Sequence, residues 1–445
     1  MSPGLTRIFL IGLGTAVVPL DITVNVAFPA ITQHFGLPIA SIQWVIICYM
    51  LAHGSLMLAC GRLGDLYGHA LVFRIGLAWN AVAFLLCAAA PSFQWLLIAR
   101  VLQGVGAALI ASCGPALVTA LAPEEKRARM LALYTLLYAV GAAAGPFLGG
   151  LLVEFGGWSA VFWFRAPLAL VACLLFRTPK AVATHKAPKE RFDLAGALLL
   201  ALTLASILLA LNQLRAIAEG GYQAVPIGLL AVLGLFLFVT QQRRASAPLI
   251  DLTLFRSAEF SLLNLGNVIA NLAGFVPLLL VPYFLDRVLA FPPIVIGLVL
   301  SAGPLGTMAA SPVGGWLAGR VPAGRMLAAG ALLLAAGLGL IATWDAATPF
   351  PLLLLALALQ GFGAGLFQIA YLDVVTGTMP AAARGVAGSL TMLTRTIGVV
   401  TSASLFTLLF QILNAGRPGL AGFGTAFLIA ALLAAAVPFL SRLKR

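Results

Sequence analysis

The sequence predicts an all-α protein that crosses a membrane many times, and three observations lead to this prediction. Of the 445 residues, 62% are hydrophobic and only 9% are charged, whereas soluble globular domains carry about 25% charged residues. Apolar runs of a length that spans a bilayer as a helix recur along the chain. Lys and Arg collect in alternate connections between those runs. These features exclude a soluble globular protein.

The apolar runs give the positions of fourteen predicted spans. Each is about 20 residues long, as a transmembrane helix requires. They lie at 8–30, 40–60, 70–90, 93–121, 129–153, 159–176, 194–214, 224–241, 260–284, 293–313, 326–344, 350–372, 385–412 and 421–440. The five cysteines fall inside apolar runs without a CxxC pair, which is typical of small packing residues rather than of disulfides or metal ligands.

Basic residues set the orientation of the spans. With the N-terminus inside, 20 Lys and Arg residues fall in cytoplasmic segments and three fall outside, namely Arg215, Arg287 and Arg417. Cytoplasmic loops carry an excess of Lys and Arg, so both termini are predicted to be cytoplasmic. The formal net charge of +13 is then mostly a topology signal, and the lipid bilayer rather than nucleic acid is the expected partner.

An internal repeat with an offset of 257 residues relates two halves of the chain. The segment 102–107 recurs as 359–364, and Gly141 falls on Gly398. Transporter folds are commonly built from such repeats, with the substrate site at the repeat interface. The predicted domains are therefore a six-helix bundle at 1–176, a linker with two extra transmembrane helices at 177–257, and a second six-helix bundle at 258–445.

Asp21 is the most informative charge because it lies inside the first apolar run. A charged side chain at the bilayer centre costs about 2.5–3.5 kcal/mol on insertion scales and usually marks a functional site. At about 1.5 Å per residue, Asp21 and Arg100 both lie roughly 10 Å below the outer ends of their helices, so they can meet. Leu357 matches Arg100 in the second half, so packing does not need this charge. We predict that the pair handles the coupling proton, with a structural ion pair as the alternative.

Protonation of Asp21 provides the predicted coupling mechanism. Low dielectric favours the neutral carboxyl group, whereas a nearby guanidinium favours the carboxylate. A moving neighbour or a substrate can therefore switch the proton on or off. Proton and substrate then compete for one site, and alternating access carries each in turn.

Further polar side chains within the spans are candidates for the substrate cavity: Asn25, Tyr49, His53, Gln103, Arg165 and Arg395. Asn25 lies one turn beyond Asp21 and either binds substrate or orients that carboxylate. A lone buried histidine is more often hydrogen-bonded core than a proton carrier. For Arg395, a cavity charge and a structural pair are equal alternatives. Arg165 is expected to add a cation near the outer end of the first half.

Two glycine-rich motifs are predicted to serve conformational change. The segment Gly61-Arg-Leu-Gly-Asp65-Leu-Tyr-Gly68 follows span two and is expected to form a tight cytoplasmic connection. Span five contains small residues at spacings that let helices approach closely, with a proline that adds a kink. We expect it to act as a hinge and seal between the halves, through Gly141, Gly145, Pro146, Gly149 and Gly150.

These motifs resemble those of the major facilitator superfamily over nearly the whole chain. The segment 61–68 is similar to its signature between helices two and three, and Arg100 with Gln103 is similar to its helix-four motif. The segment 141–150 is similar to a helix-five motif of antiporters, and 20–29 to the helix-one motif of fourteen-span drug–proton antiporters. Where that family has Asn in helix six, this chain has Arg165.

The resemblance implies a major facilitator fold and proton-coupled export of small amphipathic compounds by a monomer in the bacterial inner (cytoplasmic) membrane. The excess of buried Arg over Asp21 leaves room for neutral or anionic substrates. A dedicated metabolite exporter or a proton-coupled importer is the alternative on the same fold. No P-loop, HExxH or other metal-binding spacing occurs, so neither an enzyme nor a cofactor is expected.

Overall fold

The structure, a computed structural model, describes residues 3–121, 127–176, 193–212, 224–245, 255–378, 387–414 and 422–440. Every regular element in these ranges is a helix. Eleven helical stretches of the described residues, the first of them Phe9–Val26, are long and apolar enough to cross a membrane. The prediction of an all-helical, multi-pass membrane protein is confirmed, and the count of fourteen spans stays a prediction.

The described helices are labelled in chain order. The first nine are α1 (Pro3–Ala16), α2 (Thr23–Val26), α3 (Phe28–His34), α4 (Gln43–Tyr67), α5 (His69–Ala88), α6 (Phe93–Leu121), α7 (Arg127–Gly156), α8 (Ala160–Trp163) and α9 (Arg165–Leu175). Two 3₁₀ turns, at Pro19–Ile22 and Ile39–Ile42, lie among them.

The remaining helices follow a segment outside the described residues. They are α10 (Leu194–Asn212), α11 (Ala224–Arg244), α12 (Ala258–Arg287), α13 (Pro293–Leu317), α14 (Ala323–Ala342), α15 (Phe350–Thr378), α16 (Ala387–Asn414) and α17 (Phe423–Leu440). The helices α10 and α11 fall in the segment predicted to be an insert between the two bundles.

The described helices form two compact units. The first contains α1 to α9 without the 3₁₀ turn at Ile39–Ile42, together with one end each of α10 and α11. The second contains α12 to α17, that 3₁₀ turn and the other ends of α10 and α11. The predicted domain boundaries at 176 and 257 remain a prediction.

The internal repeat is visible in the packing inside each unit. In the first unit α5 packs against α6 and α1 against α7, and in the second α14 packs against α15 and α12 against α16. These pairs contain matching positions of the repeat. The core of the first unit is apolar, with Phe73, Leu77, Ile110 and Leu117 fully buried. Both halves of the sequence therefore build the same helix pairs.

The first span is broken, whereas the sequence pattern predicts one helix over 8–30. Helix α1 ends at Ala16, and the 3₁₀ turn begins at Pro19. Proline has no N–H with which to continue an α-helix, and the Val18 N–H already donates to the Thr15 carbonyl, 3.0 Å away. The chain resumes as α2 and α3. The break places Asp21 in the 3₁₀ turn rather than on a regular helix.

The connection predicted over 61–68 is much shorter in the structure. Helix α4 continues to Tyr67, so the turn is confined to Gly68, whose φ of +93° suits glycine. Asp65 lies in the last turn of α4, with Oδ1 3.2 Å from Nε2 of His69. Gly61 lies within α4 and makes no turn. The expectation of a glycine loop is therefore wrong in extent.

Candidate functional site

Asp21 is the centre of a group of buried polar side chains in the first unit. We call Asp21, Arg100, Gln103 and Arg165 the Asp21–arginine cluster. Nη1 of Arg100 donates to Oδ1 of Asp21 at 2.6 Å and Nη2 donates to Oδ2 at 2.8 Å. Gln103 Nε2 donates to Oδ1 at 2.8 Å, as does Nη1 of Arg165. The carboxylate therefore accepts four hydrogen bonds from three side chains.

Arg100 contacts Asp21, as the depth of the two residues in their spans predicts. The two parallel hydrogen bonds form the fork that favours carboxylate recognition by arginine. Helix α4 fixes the guanidinium from the other side, because the Val45 carbonyl accepts from Nε at 3.0 Å. Gln103 also accepts from Nη1 at 2.7 Å. All three nitrogens of Arg100 thus have partners, and its side chain is 2% exposed.

Tyr49 and His53 flank the cluster from α4. The ring of Tyr49 lies under the Arg100 guanidinium, with the ring centroid 4.4 Å from Cζ. His53 stacks on Tyr49, with 5.7 Å between ring centroids. Both side chains are 5% exposed. Of the six cavity candidates, Tyr49, Gln103 and Arg165 contact the charged pair directly, and His53 contacts it through Tyr49.

Arg165 is buried and donates a hydrogen bond to Asp21. Its Nε donates to the Val161 carbonyl at 2.8 Å, which holds the side chain toward the cluster. Cζ lies 4.6 Å from the ring centroid of Phe84 and 5.3 Å from that of Phe162. The side chain is 0% exposed. The expectation that Arg165 adds a cation near the outer end of the first half stays a prediction.

The cluster has an uneven charge balance. With Asp21 ionised, one carboxylate faces two guanidinium groups, and arginine stays protonated in proteins. The net charge is therefore one positive unit. Removing an ion from water costs several kcal/mol even after relaxation. The burial of two guanidinium groups is therefore favourable only while Asp21 stays ionised and bonded to them.

Asn25 and Arg395 lie apart from these hydrogen bonds. Asn25 in α2 is 8% exposed, and no hydrogen bond joins it to Asp21 in the described part of the chain. Whether Asn25 binds substrate or orients Asp21 stays a prediction. Arg395 is exposed on α16 and belongs to the second unit, whereas the cluster belongs to the first.

The glycine motif of α7 packs against the broken first span. A Cβ at Gly141 would lie 3.0 Å from the Ala16 carbonyl oxygen, and one at Gly149 would lie 2.8 Å from the Thr23 carbonyl oxygen. Gly145 faces Ile22 between them. Pro146 lies inside α7 and is buried, as is Gly150. The motif therefore holds α7 in contact with the backbone on both sides of Asp21.

The second unit holds neutral polar contacts from α12 to both α15 and α16. Asn267 Nδ2 donates to Oγ1 of Thr394 at 2.8 Å, and Asn271 Nδ2 donates to Oδ1 of Asn267 at 3.0 Å. The Tyr371 hydroxyl donates to Oδ1 of Asn264 at 2.9 Å. Sequence reasoning missed these contacts, although the three asparagines recur at helical spacing on α12 and so mark one face.

Sequence reasoning also missed the aromatic rings and backbone carbonyls that contact the Asp21–arginine cluster. Phe84 and Phe162 look like ordinary apolar residues, and the carbonyls of Val45 and Val161 have no sequence signal. The contact of Arg165 with Asp21 did have a sequence signal. At about 1.5 Å per residue, Arg165 lies about 9 Å into a span that begins at 159. That depth matches the depth of Asp21.

Comparison with known proteins gives the family. The sequence profile of the Major Facilitator Superfamily matches residues 8–288 and 263–444. The multidrug resistance protein Stp of Mycobacterium tuberculosis (strain CDC 1551 / Oshkosh) is 33% identical over 390 residues, which cover 87% of this chain and 72% of Stp. The tetracenomycin C resistance and export protein of Streptomyces glaucescens is 31% identical, over 92% of this chain and 76% of that protein.

Another relative and a solved structure extend the comparison. The riboflavin transporter RibZ of Clostridioides difficile (strain 630) is 26% identical over 91% of this chain and 87% of its own. The crystal structure of a mutant of the peptide transporter POT in complex with sulfate matches with a TM-score of 0.72. The match covers 99% of this chain and 95% of the POT chain at 16% identity. At this identity, the similarity supports the fold alone. The chain belongs to the Major Facilitator Superfamily and is a membrane transporter rather than an enzyme.

Proposed function

We propose that this protein is a proton-coupled antiporter that exports small amphipathic compounds from the inner membrane by alternating access. In this proposal it has fourteen spans, two six-helix bundles with two inserted helices, cytoplasmic termini and a monomeric state, as in the drug–proton antiporter family that it resembles. One observation carries the proposal: the carboxylate of Asp21 lies at a break in the first span and is held by Arg100 in a two-bond fork.

The fork makes proton binding compete with the Asp21–Arg100 contact. An ionised carboxylate accepts from both nitrogens of the guanidinium, and a protonated carboxyl group loses much of that attraction. Uptake of a proton therefore weakens the bond between the first span and α6. Arrival of substrate that restores the carboxylate has the opposite effect. Proton and substrate thus bind alternately, as antiport requires.

The break in the first span provides a route by which a change in the protonation of Asp21 can move the backbone. Asp21 lies in a 3₁₀ turn of four residues that is followed by the four-residue helix α2, so few consecutive hydrogen bonds hold the backbone there. Gly141 and Gly149 allow α7 to contact the backbone at Ala16 and Thr23. We propose that a change at Asp21 is passed to α7 through these close contacts, which is the hinge role that the glycine motif is expected to have.

The relatives support export but leave the substrate open. Two of them are named for resistance to drugs or antibiotics, and one of these for export. The riboflavin transporter favours the alternative, in which one metabolite is carried and the direction is open. Riboflavin and tetracenomycin C are therefore the first compounds to test.

Flux in proteoliposomes with an imposed pH gradient tests the proposal. We expect an acidic compartment to drive either riboflavin or tetracenomycin C toward it, and we expect Asp21→Asn to abolish that drive. Asp345→Asn is the matched control, because Asp345 is exposed and bonds within its own turn, to Ala347 and Thr348. Movement of the compound away from the acidic side would instead indicate the importer.

A further inference from the structure

We propose that the Asp21–arginine cluster contains an anion site at Nη2 of Arg165, which fills when Asp21 takes up a proton. The inference rests on the proposed function, because it assumes that Asp21 exchanges a proton. The ligand is a small anion: a free halide or the carboxylate of an organic compound.

The hydrogen-bond donors of Arg165 are only partly used. Nε donates to the Val161 carbonyl and Nη1 donates to Asp21. Nη2 is buried and has no hydrogen-bond partner among the described residues. A buried donor left without an acceptor costs about 1–3 kcal/mol, and more when the group is charged. Nη2 therefore offers an unused, buried, positively charged donor beside the carboxylate.

The charge of the cluster explains why an anion is needed. With Asp21 ionised the cluster already has one excess positive charge. Protonation of Asp21 raises the excess to two, in a place where Arg100 and Arg165 are 2% and 0% exposed. Aromatic faces offset about 0.5–2 kcal/mol of such a charge, less than the cost of burying an ion. An anion at Arg165 restores the balance that the proton removes.

The neighbouring groups do not supply that negative charge. Among the described residues, the helices packed around the cluster present these charged or titratable side chains: Arg100, Arg165, Cys48, Tyr49, His53, Cys87 and Tyr138. None is a second carboxylate. Phe84 and Phe162 cover the Arg165 guanidinium with apolar rings, which suits a weakly hydrated halide or a carboxylate attached to an apolar body.

The two anion sources have opposite consequences for transport. A halide would enter together with the proton and leave the exchange against a neutral substrate intact. A carboxylate on the substrate itself would bind better when Asp21 is protonated, so that proton and substrate would move together. Antiport of a carboxylate compound through Asp21 is therefore not expected, whereas antiport of a neutral one is.

Direct binding measurements on the purified full-length protein test the site. The probes are radioactive chloride and radioactive benzoate, with sodium gluconate to keep ionic strength constant and benzamide as the neutral analogue of benzoate. A pH indicator reports protons in the same samples. We expect anion binding to be accompanied by proton uptake, because the two linked ligands favour each other's binding. Uptake approaches one proton for each anion at a pH at which Asp21 is ionised before the anion binds, since the cluster has one carboxylate. Binding of chloride alone indicates a halide site, and binding of benzoate but not benzamide indicates a carboxylate site.

Four variants decide the role of Arg165. Arg165→Gln should lose anion binding, and Arg165→Lys should retain it. Arg320→Gln, which removes an exposed arginine of the second unit, should bind anions like the wild type. Asp21→Asn imitates the protonated state and should bind the anion about 5–150 times more tightly than the wild type at alkaline pH, with no dependence on pH.

The outcomes separate this inference from the proposed function. Equal anion binding by Arg165→Gln and wild type would overturn it, as would binding of neither anion at any pH. If Arg165→Gln does not fold, the Asp21→Asn variant decides alone, and affinity no tighter than wild type overturns the site. Proton exchange with a transported compound that depends on Asp21, together with no anion binding, leaves the proposed function standing without the anion site.

Discussion

The two repeated halves build the same helix pairs but place different chemistry at matching positions. In the first half the repeated segment holds Arg100 and Gln103, and in the second half the matching positions hold Leu357 and Gln360. The charge is absent at this position of the second half, whereas the glutamine is kept. The helix pair α14–α15 packs without that charge, so the fold does not require it.

The retained glutamine shows how the halves differ. Gln103 lies between Asp21 and Arg100, donating to one and accepting from the other. Gln360 instead donates to the backbone carbonyl of Gly274 at 3.1 Å. The same amide thus serves a charged site in one unit and a neutral helix contact in the other. We infer that proton coupling is a property of the first unit.

The largest effect is expected when Arg100 is replaced by leucine, the residue at the matching position 357 of the second half. Arg100→Leu removes the fork partner of Asp21 and leaves Arg165 as the one cation bonded to that carboxylate, beside the neutral Gln103. Breaking a buried pair by removing one partner costs about 3–5 kcal/mol, so thermal unfolding in detergent should show a destabilisation of this size. Proton-driven flux should also be lost. Leu357→Met, a change of similar volume at the matching position, should cost less than about 1.5 kcal/mol and preserve proton coupling.

The paired glutamines should respond unequally. Gln103→Ala removes hydrogen bonds to two charged groups, each worth about 1.5–3 kcal/mol, whereas Gln360→Ala removes a neutral bond worth about 0.5–1.5 kcal/mol. Thermal unfolding of both variants measures the difference. Flux should lose its dependence on the pH gradient only for Gln103→Ala. Equal effects on stability and flux would show that the halves share the coupling role.

The paired glycines should respond alike, because both serve packing. A Cβ at Gly141 would lie 3.0 Å from the Ala16 carbonyl oxygen, and one at Gly398 would lie 2.6 Å from the Val268 carbonyl oxygen. Alanine at either position should cost about 1–3 kcal/mol through overpacking, with the larger loss at Gly398.

A matched control separates the loss of space from the change of residue type. Gly315→Ala faces open space on α13 and should change stability by no more than about 1 kcal/mol, in the favourable direction. Unfolding temperatures of the three alanine variants test this. A harmless Gly141→Ala would show that α7 does not depend on close contact with the first span.

The sequence predicted the helical class, the repeat and the contact of Asp21 with Arg100, because hydrophobic length and depth in the bilayer are properties of the sequence. The break at Pro19 was not predicted, since proline is common in membrane helices and the apolar run continues through it. The direction of Arg165 depends on a bond to the Val161 carbonyl, and backbone acceptors cannot be identified from residue type.

Proton release on binding of a transported compound tests the central claim most directly. The wild-type protein, the Asp21→Asn variant and the Asp345→Asn control are purified, and a pH indicator follows addition of the compound that moves in the flux assay. We predict release by the wild type and by Asp345→Asn, and none by Asp21→Asn. Undiminished release by Asp21→Asn would contradict the assignment of the coupling proton to the Asp21–arginine cluster.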